Sequence, residues 1–265
     1  MEQQFSRIAV KVGSNVLTRR DGTLDVTRMS ALVDQIAELH KTGVEVILVS
    51  SGAVASGRSE VHSAKKLDSV DQRQLFSAVG QAKLINRYYE LFREHGIPVG
   101  QVLTMKENFA TRRHYLNQKN CMTVMLENGV IPIVNENDTV ATHEIEIGDN
   151  DTLSAIVASM IGADLLILLS DIDGLYTDDP RANPDAEFIE TVEHLDESFL
   201  RMGKSTTGSG VGTGGMSTKL TAATIATASG ADMVIANSKD VRIIHRIIDG
   251  ENYGTLFLAE KQDAF

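Results

Sequence analysis

The run ADLLILLS, from Ala163 to Ser170, carries five consecutive large apolar residues, Leu165 to Leu169, with no polar alternation. A strand of that kind has to be covered on both faces, which points to a parallel sheet clothed in helices. The same kind of run recurs along the chain: RIAVKV at Arg7, VEVILVS at Val44, IPVGQVL at Ile97, VIPIVN at Val130 and ADMVIA at Ala231. Helical periods alternate with these runs. MSALVDQIAELHKTG puts Met29, Leu32, Val33, Ile36 and Leu39 on one face and ends at Gly43. DQRQLFSAVGQAKLINRYYELFREHG, Asp71 to Gly96, predicts a long helix with a wide apolar stripe. Further helices are expected around Arg112 to Asn128, over DTLSAIVASMIG, over TKLTAATIATASG and over VRIIHRIIDG. The alternation predicts an α/β fold with a mainly parallel sheet. Neither a long linker nor a shift in composition marks a boundary within the 265 residues, so one domain, 1–265, is expected.

Composition narrows the function. A formal net charge of −11 argues against nonspecific binding to nucleic acid or anionic membranes. It leaves room for a local basic pocket. The lone Cys121 cannot form an intrachain disulfide, which fits a reducing compartment. The N-terminal MEQQFSRIAVKVG does not read as a signal peptide, and no apolar run is long enough to cross a bilayer. A cytoplasmic protein is expected.

Ligands of open α/β sheets bind beyond the carboxyl ends of strands, and small or polar residues gather there. Gly13 and Ser14 follow the first strand, and Ser50, Ser51 and Gly52 the second. The cluster Asn135, Glu136, Asn137 and Asp138 follows IPIV; Ser170 and Asp171 follow LLILL. Lys11 sits inside an apolar strand, where it either pairs with an anion or snorkels to water. SSGAVASG, Ser50 to Gly57, is either an anion-approaching turn or a tight turn with a serine cap. The segment GSGVGTGGMSTK contains G-x-G-x-x-G at Gly210, Gly212 and Gly215 without the preceding strand that the dinucleotide fingerprint needs. GKS at Gly203 lacks the P-loop's first glycine, the position being Ser198. A glycine-rich loop leading into a helix with Lys219 remains, suited to a nucleotide phosphate or to a solvated surface loop. Asp149, Asn150 and Asp151 stand at a helix start, where one cap explains only one of them. The rest can hold Mg²⁺ or receive an ammonium group. No zinc spacing and no G-x-S-x-G nucleophile elbow occurs. Two lysines, glycine-rich turns and carboxylates without a nucleophile suit phosphoryl transfer, which needs alignment and positive charge more than covalent chemistry.

VKVGSNVL, VSSGAVASG, VNENDTVA, IGDNDTLSA, LLSDIDGLYTDDPR and GTGGMSTKL, taken in order, resemble the motifs of the glutamate 5-kinases of the amino-acid kinase superfamily, from about Ile8 to Leu258. The resemblance implies a three-layer αβα sandwich that converts ATP and L-glutamate to L-glutamyl 5-phosphate and ADP, the first step of proline synthesis from glutamate. Its N-terminal part would hold glutamate and its C-terminal part ATP. By the resemblance, Lys11 and Lys219 flank the transferring phosphoryl group and Asp151 holds them in position. Ser51, Gly52, Asn135, Asp138, Asp149 and Asn150 would form the glutamate site. Lys11, Gly13, Ser170, Asp171, Thr213, Gly214, Gly215, Met216, Ser217, Thr218 and Lys219 would form the ATP site. Mg²⁺ is implied, with its protein ligand left open.

The resemblance further implies a homo-oligomer (dimer or tetramer), coupling to glutamyl-phosphate reductase and feedback inhibition by proline. Many members carry a C-terminal PUA domain, which this sequence is expected to lack. Ser170 stands where the family often has Thr. Other readings are a superfamily kinase acting on N-acetylglutamate, aspartate, carbamate or a nucleoside monophosphate, and a non-catalytic ligand sensor on the same fold. The paired lysines argue against a sensor, which has no transition-state charge to neutralise.

Overall fold

The computed structural model describes residues 5–62, 66–140, 149–180, 182–199, 215–240, 242–251 and 253–260. The chain divides into two compact units, one formed by Met1–Lys11 with Gly148–Phe265, the other by Val12–Ile147.

In the unit Val12–Ile147, the strands β2 (Glu45–Ser50), β3 (Val99–Thr104) and β4 (Ile131–Glu136) lie in the order β3-β4-β2, all parallel. Register runs from Val99 opposite Ile131 to Thr104 opposite Glu136, and Leu48 stands opposite Ile133. The helices are α1 (Ser14–Leu17), α2 (Val26–Lys41), α3 (Ala53–Glu60), α4 (Ser69–Glu94), α5 (Glu107–Ala110) and α6 (Arg112–Glu127). Helix α2 begins earlier than its apolar stripe, because Asp25 caps it by accepting the Arg28 amide at 3.2 Å. Helix α4 is the long helix expected around Asp71 to Gly96; Asp68 caps it and Gly96 follows in the left-handed region. Tyr88 and Phe92 of α4, Met29 and Ile36 of α2, and Ile47 and Leu48 of β2 are fully buried.

In the other unit, β1 (Arg7–Val12), β5 (Leu165–Ser170), β8 (Thr191–Val192), β9 (Asp232–Asn237) and β10 (Thr255–Phe257) take the order β1-β5-β9-β10-β8. β5 and β9 pair in parallel from Leu165 opposite Asp232 to Ser170 opposite Asn237. β10 is antiparallel to β9. Its entry is forced by Gly254, at φ 101°, where a Cβ would lie 2.0 Å from the Ile235 carbonyl oxygen. The two-stranded β6 (Leu175–Tyr176) and β7 (Phe188–Ile189) are antiparallel. The helices are α7 (Asn150–Ile161), α8 (Met216–Ala228) and α9 (Ile243–Ile248). α7 packs on α8 through small residues, with Ala155, Ala158, Ala222, Ala223 and Ala226 fully buried. The mainly parallel α/β organisation expected from the apolar runs is the one the chain adopts. Among the described residues no helix is long and apolar enough to cross a membrane.

Candidate active site

Three elements of the unit Met1–Lys11 with Gly148–Phe265 deliver one charge each to a common point. β1 brings Lys11, the start of α7 brings Asp151, and the first turns of α8 bring Lys219. Lys11 Nζ lies 2.6 Å from Asp151 Oδ1, off the direction of a well-formed hydrogen bond, so this contact is an ion pair. Lys219 Nζ donates to Oδ2 at 3.0 Å. The Thr218 hydroxyl stands 3.0 Å from the same Oδ2 and 2.8 Å from the Gly215 carbonyl, with one proton for the two acceptors. All three charged residues are buried, Asp151 at 1% exposure, Lys219 at 5% and Lys11 at 8%.

The local sequence explains each position. Asp149 is the N-cap of α7, its carboxylate accepting the Thr152 amide at 2.6 Å. That fixes the first turn and orients Asp151, whose charge the helix N-terminus favours. Lys219 is the reverse case. A lysine in a helix's first turns opposes the dipole and, when buried, loses hydration. Asp151 offsets both costs. Burial alone would raise the Asp151 carboxyl, but the adjacent ammonium groups of Lys11 and Lys219 outweigh it and hold the value at about 2. The snorkelling alternative for Lys11 is thereby excluded.

The candidate nucleotide residues lie in the same unit. Ser170 ends β5 and donates to Asp171 Oδ1 at 3.3 Å; Asn237, ending β9, donates to Asp173 Oδ1 at 2.6 Å. Gly215 is the N-cap of α8 without a side-chain cap, and Met216, Ser217 and Thr218 form its first turn. Thr213 and Gly214 lie outside the described residues.

The other unit carries the remaining candidates. Gly13 is the N-cap of α1. Gly52 is the N-cap of α3 with φ 102°, a conformation that favours glycine. Of the two readings of Ser50 to Gly57, the serine cap is not formed: no side chain caps α3. Ser51 donates its amide to the Val12 carbonyl at 3.0 Å. Next to it, Ser50 hydrogen-bonds the buried Tyr88 hydroxyl at 2.9 Å, fixing the end of β2.

At the end of β4, Asn135 donates to Gln81 Oε1 of α4 at 3.0 Å and accepts the Glu136 amide at 2.9 Å. Asp138 is raised to about 6, chiefly by burial and further by the neighbouring Glu136, against the pull of Arg73 of α4. Gln81 and Arg73 are therefore site neighbours that the motifs passed over, while Glu136 belongs to the cluster already marked after IPIV. Their signal in the sequence is faint, since Gln81 and Arg73 read as polar positions of a long helix. Among the described residues no group of three or more His, Cys, Asp or Glu could hold a metal ion.

A mainly parallel α/β chain with a buried lysine–aspartate–lysine centre, and with glycines capping the helices that follow β1 and β2, has the furniture of a phosphotransferase. Residues 6–237 match the amino acid kinase family. The chain is 67% identical over 246 residues to glutamate 5-kinase of Bacteroides thetaiotaomicron, an overlap covering 92% of this chain and 67% of that protein. It is 45% identical over 257 residues to glutamate 5-kinase of Clostridium acetobutylicum, covering 97% and 96%. Among solved structures, UMP kinase from Bacillus anthracis superposes with a TM-score of 0.64 at 16% identity, covering 97% of each chain. An isopentenyl phosphate kinase gives 0.60 at 18% identity, covering 95% of this chain and 99% of that one. At those identities the likeness concerns the fold alone. The chain belongs to the amino acid kinase family and, within it, to the glutamate 5-kinases. It is an enzyme, a kinase that transfers a phosphoryl group.

Proposed function

We propose that the chain transfers the γ-phosphoryl group of ATP to the γ-carboxylate of L-glutamate, giving L-glutamyl 5-phosphate and ADP, the first step of proline synthesis from glutamate. The observation that carries this reading is the buried Lys11–Asp151–Lys219 centre. A carboxylate attacking a phosphoryl group brings two anions together. Two fixed ammonium groups in a water-poor site offset that repulsion and stabilise the charge on the equatorial oxygens of the transition state. Asp151 is the positioning residue for both lysines, and its two oxygens are committed to them. It is therefore not a donor for a divalent cation. Mg²⁺ fits as the nucleotide's own counter-ion, carried largely by phosphate oxygens and water, where it neutralises charge on the polyphosphate.

In this reading Gly13, Ser170, Asp171 and the segment Thr213 to Lys219 receive ATP. Ser51, Gly52, Asn135, Asp138, Asp149 and Asn150 take glutamate, the carboxylates serving its ammonium group. Residues 1–265 act as one catalytic domain. A homo-oligomer, cytoplasmic location, inhibition by proline and hand-over of the acyl phosphate to glutamyl-phosphate reductase belong to the same proposal.

The deciding experiment supplies ATP, Mg²⁺, hydroxylamine and one acceptor acid to the purified protein. Hydroxylamine traps an acyl phosphate as a hydroxamate. Signal with glutamate, and none with aspartate or N-acetylglutamate, is expected. Signal with another acid would overturn the assigned acceptor.

Two kinetic predictions accompany it. Lys219→Ala is expected to lower kcat by about a thousandfold while leaving the glutamate KM within about threefold, because its charge acts mainly on the transition state. Equal loss in kcat and in affinity would instead make Lys219 a binding residue. The second concerns pH. Asp138 is raised to about 6, so an ammonium ligand, which pairs with the ionised form, competes with a proton below that value. The glutamate KM is expected to rise as pH falls through about 6 in the wild type. In Asp138→Asn it should be higher at neutral pH and flat across that range. An unchanged pH profile in the variant would remove Asp138 from the ammonium site.

A further inference from the structure

We propose that Gln81 of α4 is a positioning residue of the acceptor-acid site, acting through Asn135. The inference rests on the reading that Asn135 contacts the acceptor acid. The two residues are 54 positions apart, and Asn135 Nδ2 donates to Gln81 Oε1 at 3.0 Å. Both side chains are buried, Gln81 at 7% exposure and Asn135 at 4%. A buried glutamine gives up hydration and rotamer freedom, and a core position on a helix takes leucine at less cost. The bond itself adds little net stability, because the same groups bond water in the unfolded chain. Its value lies in direction.

Asn135, near the end of β4, stands between a backbone donor and a side-chain acceptor. The Glu136 amide can only donate, and Asn135 Oδ1 accepts it at 2.9 Å. That turns Nδ2 toward α4, where Gln81 Oε1 meets it. Flipping the Asn135 amide would set donor against donor at Glu136 and acceptor against acceptor at Gln81. The amide therefore has one favoured orientation. Gln81 is itself braced, because the adjacent Gly80 packs backbone to backbone on α3, where an added Cβ would stand 1.7 Å from the Ala53 carbonyl oxygen. Seven residues on, about two turns along the same face of α4, Tyr88 hydrogen-bonds Ser50 at 2.9 Å. Leu48 and Val49 of β2 stand opposite Ile133 and Val134 of β4, so Ser50 and Asn135 are level in adjacent strands. One face of α4 thus holds the strand ends that carry Ser51 and Asn135. A supporting shell of this kind fixes the geometry of the groups that touch substrate.

The test is steady-state kinetics on the full chain, with whichever acid gives hydroxamate with the wild type as acceptor. An error in the assigned acid then shows in the wild type and leaves the comparison of variants intact. Gln81→Met removes the acceptor oxygen at similar length, and Gln81→Asn keeps an amide but draws its oxygen back by one methylene. Each is expected to raise the KM of the acid about tenfold, with kcat and the ATP KM within about threefold of the wild type. Circular dichroism verifies folding, and Gln81→Asn carries the same comparison if Gln81→Met does not fold. In an Asn135→Ala background, either substitution at Gln81 is expected to change the KM of the acid by less than about twofold, because there is no amide left to orient. An unchanged KM in the single variants overturns the proposal. So does a joint loss of kcat and of both affinities, the mark of a general structural role. An equal effect with and without the Asn135 side chain overturns it too, since Gln81 would then not act through Asn135.

Discussion

Asp151→Ala is expected to lose about 3–5 kcal/mol of stability, the cost of breaking a buried ion pair by removing one partner. The substitution leaves the buried ammonium groups of Lys11 and Lys219 beside each other without the carboxylate that both approach within 3.0 Å. Their mutual repulsion and lost hydration then act with nothing at that point to offset them. Denaturant titration measures the loss, and an unchanged midpoint would show that the trio contributes nothing to the fold. Turnover should vanish with it, since the two lysines lose their alignment. The pH dependence has a definite sign. Asp151 is lowered from an ordinary 3.8 to about 2, so its contribution is fully present above pH 3.8 and is lost as pH falls through about 2. Asp151→Asn keeps the shape and removes the titration, so its stability should vary less between pH 4 and 2 than that of the wild type.

Gly80→Ala is expected to destabilise by more than about 4 kcal/mol, in the extreme tail of single substitutions. A Cβ at Gly80 would stand 1.7 Å from the Ala53 carbonyl oxygen and 2.5 Å from the Gly57 amide nitrogen. Across the same contact, a Cβ at Gly57 would meet the Phe76 carbonyl oxygen at 1.8 Å. Helices α3 and α4 therefore touch backbone to backbone, and no side-chain rotation can make room. The only relief is to push the helices apart, which disturbs the turn at Gly52 as well as the core. Gly129→Ala is the control. Gly129 has φ 68° with nothing within 4 Å of an added Cβ, so its cost is about 1–2 kcal/mol of backbone strain. If the two variants unfold at the same denaturant concentration, the α3–α4 contact is not as described.

The elements that were legible in the sequence are those whose signal is local. β5 declares itself through an unbroken run of leucine and isoleucine, α2 and α4 through apolar residues at helical spacing, and Gly96 through its place after the stripe. Periodicity is a property of neighbouring residues, so one chain suffices to read it. Boundaries shifted where a cap outweighed the stripe: Asp25 starts α2 and Asp149 starts α7. The short strands β6, β7, β8 and β10 carried too few residues to show a period.

The candidate site divides in the same way. Lys11, Asp151 and Lys219 were marked by residue type and motif, because a lysine in an apolar strand, and carboxylates in excess of one cap, are anomalies visible in place. The resemblance implied that Asp151 holds both lysines, but the contact itself comes from tertiary structure, which joins Asp151 to a residue 68 positions away. The Gln81 partner of Asn135, 54 positions apart, and the glycine contact of α3 with α4 are of the same kind. The sequence by itself determined the alternation of strands and helices, the kinase motifs and the residues with unusual charge. Tertiary structure alone decided who pairs with whom, because ion pairing, burial and close approach depend on distances through space, and a single sequence records only distances along the chain.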